Sequence, residues 1–335
     1  MTQQWWKQAV VYQIYPKSFM DSDGDGYGDI NGIISKLDYL SDLGVDVLWL
    51  NTIYSSHEKD NGYDISDYYA INPRYGTLEQ FKQLLTQVHQ RGMKLIMDIV
   101  VNHTSTEHEW FKQAASSVDN PYHDFYIWRD GSPETPPNNW LSKFGGSAWQ
   151  YCAGVGKYYL HLFDVTQADL NWENPRVRQE IYSMMRYWLE LGVDGFRLDV
   201  INLISKQQSF TDDTLLTPTA DGRKFYTDGP RIHEYLHEMN HEVFALRDGL
   251  LTVGEMSSTT LESCVLYTNP ARKELDMVFN FHHLKVDYVG GEKWSLGRFD
   301  FIQLKQLFNT WQSGMQAGGG WNALFWSNHD QPRAL

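Results

Sequence analysis

Cysteine is scarce in this chain: two in 335 residues, Cys152 and Cys264, set far apart. That count argues against a disulfide scaffold and against a cysteine-ligated zinc site. Basic charge is also short, with 28 Lys and Arg against 42 Asp and Glu and a net charge of −14. Nucleic acid and anionic membrane surfaces are therefore poor partners, since both need a basic face. An anionic small molecule needs only a local basic cluster and stays open. No run of about 18 apolar residues exists, so no membrane span is expected. The N-terminal apolar run at 9–12 is too short for a signal peptide, and no small-residue cleavage site follows it. The expected location is cytoplasmic.

What the chain does have is apolar bulk and rings. Hydrophobic residues make up 42%, enough for a large core, and aromatic residues 15%, with 13 Trp and 20 Tyr. Flat rings suit sugar faces, although packing is the ordinary reading of any one of them. Short apolar runs alternate with helical patterns. Strands are expected at 9–15, 45–50, 94–101, 195–200, 251–255, 277–280 and 323–327. Helices are expected at 30–43, 78–91, 175–191, 230–246 and 301–314. The run KLIMDIVV (94–101) is continuous rather than alternating, the habit of a parallel strand buried on both faces. The βαβ order gives an α/β fold, a (β/α)8 barrel apparently lacking its last βα unit. A loop-rich, aromatic-rich stretch interrupts it after the third strand. The expected division is barrel at 1–103, insertion subdomain at 104–170, and barrel again at 171–335.

Polar residues gather at the C-terminal ends of these strands: Asp98, Asn102 and His103; Arg197 and Asp199; Glu255; Asn328, His329 and Asp330. In a parallel barrel these ends share one rim, where active sites form. Arg197 and Asp199 are two apart and so face the same side. A guanidinium beside a carboxylate is expected to keep it ionised, as a nucleophile requires. Three carboxylates from three strand ends suit glycoside hydrolysis: one attacks the anomeric carbon, one protonates the leaving oxygen, and one supports an oxocarbenium-like transition state.

DIVVNH (98–103), GFRLDVIN (195–202), GE (254–255) and SNHD (327–330) resemble, in order, the four signature regions of the α-amylase superfamily of glycoside hydrolases. QADLN (167–171) resembles the fifth region as found in the oligo-1,6-glucosidase branch. WRDGSPETPPNNW, LNWENP, DGRKFYTDGP, HEMN, TVGEMSST and FNFHHLKVDY–GGEKW are similar to members that hydrolyse trehalose 6-phosphate. The resemblance implies that Asp199 is the nucleophile, Glu255 the general acid and base, and Asp330 the transition-state stabiliser. It implies that Arg197 holds Asp199 ionised, that His103 and His329 bind sugar hydroxyls, and that Asp60 and Tyr63 clamp the far side of the same sugar. Anomeric configuration would be retained, with the two main carboxyls about 5–5.5 Å apart. Val200, after the nucleophile, is similar to members that cut non-1,4 linkages.

A phosphorylated substrate needs local cations in so acidic a chain. His282, His283, Lys285 and Lys293, with Gly290 and Gly291 between them, are the candidates after strand six. DSDGDGYGD (21–29) resembles the start of an EF-hand loop but carries Gly32, not Glu, at position twelve. Related oligo-1,6-glucosidases bind calcium on a similar loop, so a structural Ca²⁺ at Asp21, Asp23, Asp25, Asp29 and the Tyr27 carbonyl is expected. An Asx-turn loop needs no metal and is the plainer alternative. No catalytic cofactor is expected.

The leading expectation is a monomeric retaining glycosidase acting on a small sugar phosphate. Its rivals are an oligo-1,6-glucosidase or α-glucosidase, a non-catalytic relative such as the ectodomain of an amino-acid transporter's heavy chain, and an inactive fragment. The family pattern continues with an eighth βα unit and a C-terminal β domain beyond the residues in this sequence. An open barrel leaves unpaired strand edges, so poor stability is expected of the chain alone.

Overall fold

The computed structural model describes residues 4–214, 220–290, 293, 295 and 297–331. Its centre is one parallel sheet of six strands, β1 (Val11–Ile14), β2 (Val47–Leu50), β3 (Lys94–Val100), β4 (Gly195–Asp199), β5 (Leu251–Glu255) and β6 (Met277–Phe279), paired in chain order. Every residue of β4 and β5 is buried, and so is every residue of β3 after Lys94. Burial on both faces is what their unbroken apolar runs require.

Helices cover the outside: α1 (Ile30–Ser35), α2 (Leu37–Asp42), α3 (Leu78–Gln90), α4 (Pro175–Leu191), α5 (Ile232–Glu242), α6 (Leu261–Thr268) and α7 (Phe301–Ala317). Their ends are written in the sequence. Thr77 and Gln80 form a reciprocal capping box before α3. Asn174 caps α4 ahead of Pro175, and Gly192 ends it at φ 110°. Gly195 opens β4 so close to β5 that an added Cβ would sit 2.0 Å from the Leu251 carbonyl oxygen.

Besides the unexpected helix α6, three elements depart from the sequence expectation. The helix at 30–43 is two helices, because Lys36 leaves helical geometry (φ −109°, ψ 4°) and its N–H is shared by the Ile33 and Ile34 carbonyls. Leu43 falls outside both and is 54% exposed. An unexpected hairpin, Tyr54–Ser56 with Ile65–Ile71, follows β2. The expected strand at 323–327 does not form. Its link to β6 is a single parallel bridge from Val278 to Asn322, with the Ala323 N–H donating to the Val278 carbonyl at 2.8 Å. Phe325 packs on Phe279 and Phe281, but Leu324 and Trp326 point to solvent. Among the described residues no strand pairs with its outer edge, so half a ladder is all that could hold it extended.

Between β3 and α4, His103–Ser105 pairs antiparallel with Gln167–Asp169, and Trp128–Arg129, Lys157–Leu160 and Trp149–Cys152 form a small antiparallel sheet. This stretch shares an apolar cluster with the loop after β4: Trp140, Trp149 and Leu160 pack with Leu203, Phe210 and Tyr226. Trp140 stacks on Phe225 at 5.5 Å. Gly222, at φ 86°, lets that loop pass: a Cβ there would meet the Trp140 ring at 2.4 Å.

Candidate active site

Strand register assembles the charged centre. Arg197 of β4 lies beside Asp98 of β3, and Asp199 beside Val100. Glu255 ends β5 opposite Phe279. Arg197 Nη1 donates to Asp98 Oδ1 at 2.6 Å and to Asp199 Oδ1 at 2.7 Å. Its Nη2 stands 2.7 Å from Glu255 Oε2 but makes no aligned hydrogen bond there, so that contact is an ion pair without a directed N–H. Glu255 Oε2 instead accepts the Val200 N–H at 3.0 Å. Val200 is held at φ 36°, ψ 40°, a left-handed conformation that a β-branched residue rarely adopts. The strain aims its amide at the acid.

Asp199 departs from its sequence expectation. Burial, and then the charges of Glu255 and Asp98, hold its carboxyl well above the usual carboxylate range despite Arg197. The reason is arithmetic: one guanidinium serves three buried carboxylates. Arg197's directed hydrogen bond nonetheless goes to Asp199 rather than to Glu255.

A hydrogen-bonded wall extends from this centre. Tyr63 OH donates to Asp98 Oδ2 at 2.9 Å, accepts from Asn51 Nδ2 at 2.6 Å and lies 2.7 Å from His329 Nε2. The Tyr63 and His329 rings stack at 5.3 Å and 4°. Gln13 Nε2 is 2.8 Å from both His329 Nδ1 and Asn51 Oδ1. His103 Nε2 lies 3.1 Å from Gln167 Nε2, which also donates to Asp60 Oδ2 at 2.8 Å. Burial lowers His103 to about 4, so its ring is neutral. Burial, reinforced by Asp64, Asp330 and Asp164, raises Asp60 to about 6 against the Gln167 hydrogen bond. Asp330 stands apart from the Arg197 cluster, half-exposed on the rim, with its Oδ2 3.4 Å from His329 Nε2. Its charge still reaches Asp60, Tyr63 and His329.

Several working residues were not assigned a role on sequence alone. Asp98 carried a signal, as the one acid in an apolar strand. Lys206 also carried one, a lysine just after the GFRLDVIN motif. Its buried Nζ pairs with Asp169 at 2.9 Å and donates to Asn102 Oδ1 at 3.0 Å. Asn102 Nδ2 donates in turn to Asp169 Oδ1. Gln13 and Asn51 left no such mark.

The expected phosphate set divides. His283 Nε2 is 2.8 Å from the Phe325 carbonyl, and its ring lies against Phe308 and Phe325. His282 rests on Trp311, with Nδ1 3.0 Å from Asn280 Oδ1. Burial lowers both, His282 to about 4, so neither ring brings a positive charge to this region at neutral pH. Lys285 and Lys293 remain on the surface of this region. Gly291 lies outside the described residues.

In the 21–29 loop, one carboxylate oxygen from each of Asp21, Asp23 and Asp29 converges within 4.8 Å. Asp25 stands outside this group and accepts the Tyr27 N–H. Asp21 also accepts the Gly24 and Gly26 N–H groups, and Asp29 caps α1 through Gly32. Converging hard oxygens fit a Ca²⁺ or Mg²⁺ ion.

A parallel barrel sheet with an Arg-clasped carboxylate pair at its C-terminal rim defines a glycoside-hydrolase type of site. The catalytic-domain signature of the alpha-amylase family matches residues 13–335, and the chain belongs to that family. It is 64% identical to trehalose-6-phosphate hydrolase of Bacillus subtilis over 332 residues, covering 99% of this chain and 58% of that protein. It is 60% identical to trehalose-6-phosphate hydrolase of Escherichia coli, over 99% of this chain and 59% of that one. An oligo-1,6-glucosidase of Parageobacillus thermoglucosidasius is 54% identical, over 100% and 60%. The crystal structure of Bacillus licheniformis trehalose-6-phosphate hydrolase superposes with a TM-score of 0.94 at 64% identity, covering 98% of this chain and 59% of that one. The chain thus spans about three-fifths of the length of the relatives it matches.

Proposed function

We propose that this site hydrolyses trehalose 6-phosphate with retention, releasing glucose and glucose 6-phosphate. The observation that carries the chemistry is the Asp199–Glu255 carboxyl pair clasped by Arg197 at two adjoining strand ends. Asp199 attacks the anomeric carbon of the unphosphorylated glucose while Glu255, acting as general acid, protonates the departing glycosidic oxygen. Water, deprotonated by Glu255, then cleaves the glucosyl–Asp199 ester and returns the proton. Tyr63, neutral His103 and His329, Asp60 and Asp330 line the side where that glucose would sit, offering donors and acceptors to its hydroxyls. The 64% identity to trehalose-6-phosphate hydrolases supports this substrate. The 54% identity to an oligo-1,6-glucosidase supports α-1,6-glucosides as the second reading.

The same reading covers the rest of the molecule. Residues 1–103 and 171–335 are taken as barrel and 104–170 as an inserted subdomain. Asp21, Asp23 and Asp29 would hold a structural cation that ties the loop to α1. No described helix is long and apolar enough to cross a membrane. A cytoplasmic location accords with a charged sugar phosphate as substrate. Release of glucose 6-phosphate from trehalose 6-phosphate, with Asp199→Asn as control, tests the proposal. Turnover of isomaltose with no response to trehalose 6-phosphate would favour the second reading.

A further inference from the structure

Left-handed backbone gathers in the short turn that carries Asp60. Glu58 (φ 55°), Asn61 (φ 48°) and Gly62 (φ 102°) all lie in that region, so Asp60 sits between two side-chain-bearing residues held where a Cβ is unfavourable. Gly62 is pressed against the loop after β2: a Cβ there would meet Thr52 Oγ1 at 2.5 Å. Asp60 is also crowded by its own sign, since Asp64, Asp330 and Asp164 all act on it, with Gln167 Nε2 donating to it at 2.8 Å. Strain of this kind persists only where surrounding contacts hold it. Without them the turn would relax and carry the carboxylate out toward water.

A hub centred on Glu58 opposes that release. Lys17 Nζ, from the turn Pro16–Phe19 after β1, reaches Glu58 Oε2 and Asn61 Oδ1, both at 3.2 Å, so one ammonium grips both strained residues. Arg74 Nη1 donates to Glu58 Oε2 at 2.5 Å, and Tyr75 OH and Asn72 Nδ2 donate to Oε1 at 3.1 and 3.4 Å. The Glu58 side chain is only 10% exposed, which strengthens these charge-assisted contacts. The backbone is tied as well. The Glu58 N–H donates to Ser56 Oγ, that hydroxyl donates to Asp64 Oδ1, and the same oxygen accepts the Asp60 N–H at 3.0 Å. Tyr27 braces both cations, its ring lying 4.3 Å from the Arg74 guanidinium and 6.0 Å from Lys17 Nζ.

Neither Lys17 nor Glu58 bonds to the Asp60 carboxylate, so both act on it through the turn. Tyr63 moves with the same turn, since its N–H donates to the Asp60 carbonyl at 2.9 Å. We propose that Lys17 and Glu58 are positioning residues: their ion pair locks the 58–62 turn in the strained form that aims Asp60 at the glucose bonding to Asp199. This rests on the hydrolase reading above and deepens it by naming what sets the sugar clamp.

The test combines Lys17→Met and Glu58→Gln with Asp60→Ala, using glucose as probe and tryptophan fluorescence as readout. Lys17→Met leaves the Arg74–Glu58 pair in place, and Glu58→Gln keeps an oxygen acceptor for Tyr75, so two independent variants carry the test and a thermal melt checks that each folds. Each should weaken glucose binding roughly 10-fold, the size of one lost hydrogen bond to a charged group, and raise KM for trehalose 6-phosphate and 4-nitrophenyl α-glucoside alike. Lys17→Arg, which keeps the charge, should restore both. In the Asp60→Ala background the same substitutions should change glucose binding less than about twofold, because the grip they set is already gone. Equal losses with and without Asp60, or single variants that bind glucose as the parent does, would overturn the positioning role. Failure of the hydrolase reading looks different: glucose binding still depends on Lys17 through Asp60, but no glucoside is cleaved.

Discussion

Replacing Arg197 by Met removes the guanidinium at the heart of the carboxylate cluster and keeps an apolar stem of similar length. Asp98, Asp199 and Glu255 lose contacts of 2.6, 2.7 and 2.7 Å and stay buried. Breaking one buried ion pair from one side costs about 3–5 kcal/mol, so the loss should reach at least that range at neutral pH and above. The pH dependence follows from Asp199. Its folded pKa already lies above the unfolded value, so its contribution is fully present below about pH 4 and is lost as pH rises through the folded value. Without Arg197 the folded pKa climbs further. At acid pH Asp199 is protonated in both proteins and they differ less. As pH rises the variant loses more, and the gap widens. Urea unfolding at pH 5 and pH 8, extrapolated to zero denaturant, reads this directly. An Arg197→Met protein as stable as the parent at pH 8, or a gap that does not change with pH, would refute the account of one cation shared by three acids.

Asp60, raised to about 6, must be ionised to accept sugar hydroxyls, so KM should rise as pH falls through 6, and Asp60→Asn should flatten that acid limb. The same raised pKa makes its stability contribution complete below about pH 4 and lost above 6, so Asp60→Asn should stabilise at pH 8 and change little at pH 4. His103, lowered to about 4, should show no imidazole titration by NMR between pH 5 and 9. Being depressed, it favours the folded state above its unfolded pKa and loses that contribution as pH drops toward 4, so His103→Gln should blunt the acid sensitivity of the melting midpoint. Lys206→Met leaves Asp169 buried without its cation and should cost about 3–5 kcal/mol; an unchanged urea midpoint would argue that Asn102 and the Leu162 N–H suffice. Chelation at matched ionic strength should lower the melting midpoint through the 21–29 loop, by an amount equal to about 2.7 kcal/mol if the ion was at 100 times its Kd, and Asp21→Ala should remove that response.

What the sequence revealed, and what it hid, divides along covalent distance. Six strands and the long helix α4 were legible because burial on two faces and caps at two ends are local properties: KLIMDIVV and Asn174–Pro175–Gly192 carry them in a few residues. The rim was legible because register is local too; Arg197 and Asp199 on one strand must share a side. The charge state was not. Whether Arg197 ionises Asp199 depends on how many carboxylates compete for it, and two of the three competitors sit on other strands. The strand at 323–327 failed for a related reason: its apolar residues describe what the segment would do with neighbours on both edges, and the described chain supplies one. The charge of His282 and His283 was hidden in the same way: a histidine beside lysines reads as a cation until burial against Trp311 and Phe325 makes it neutral. Local sequence therefore predicts which groups face the cleft, while their charge is set by contacts across strands such as those of Arg197 with Asp98 and Glu255.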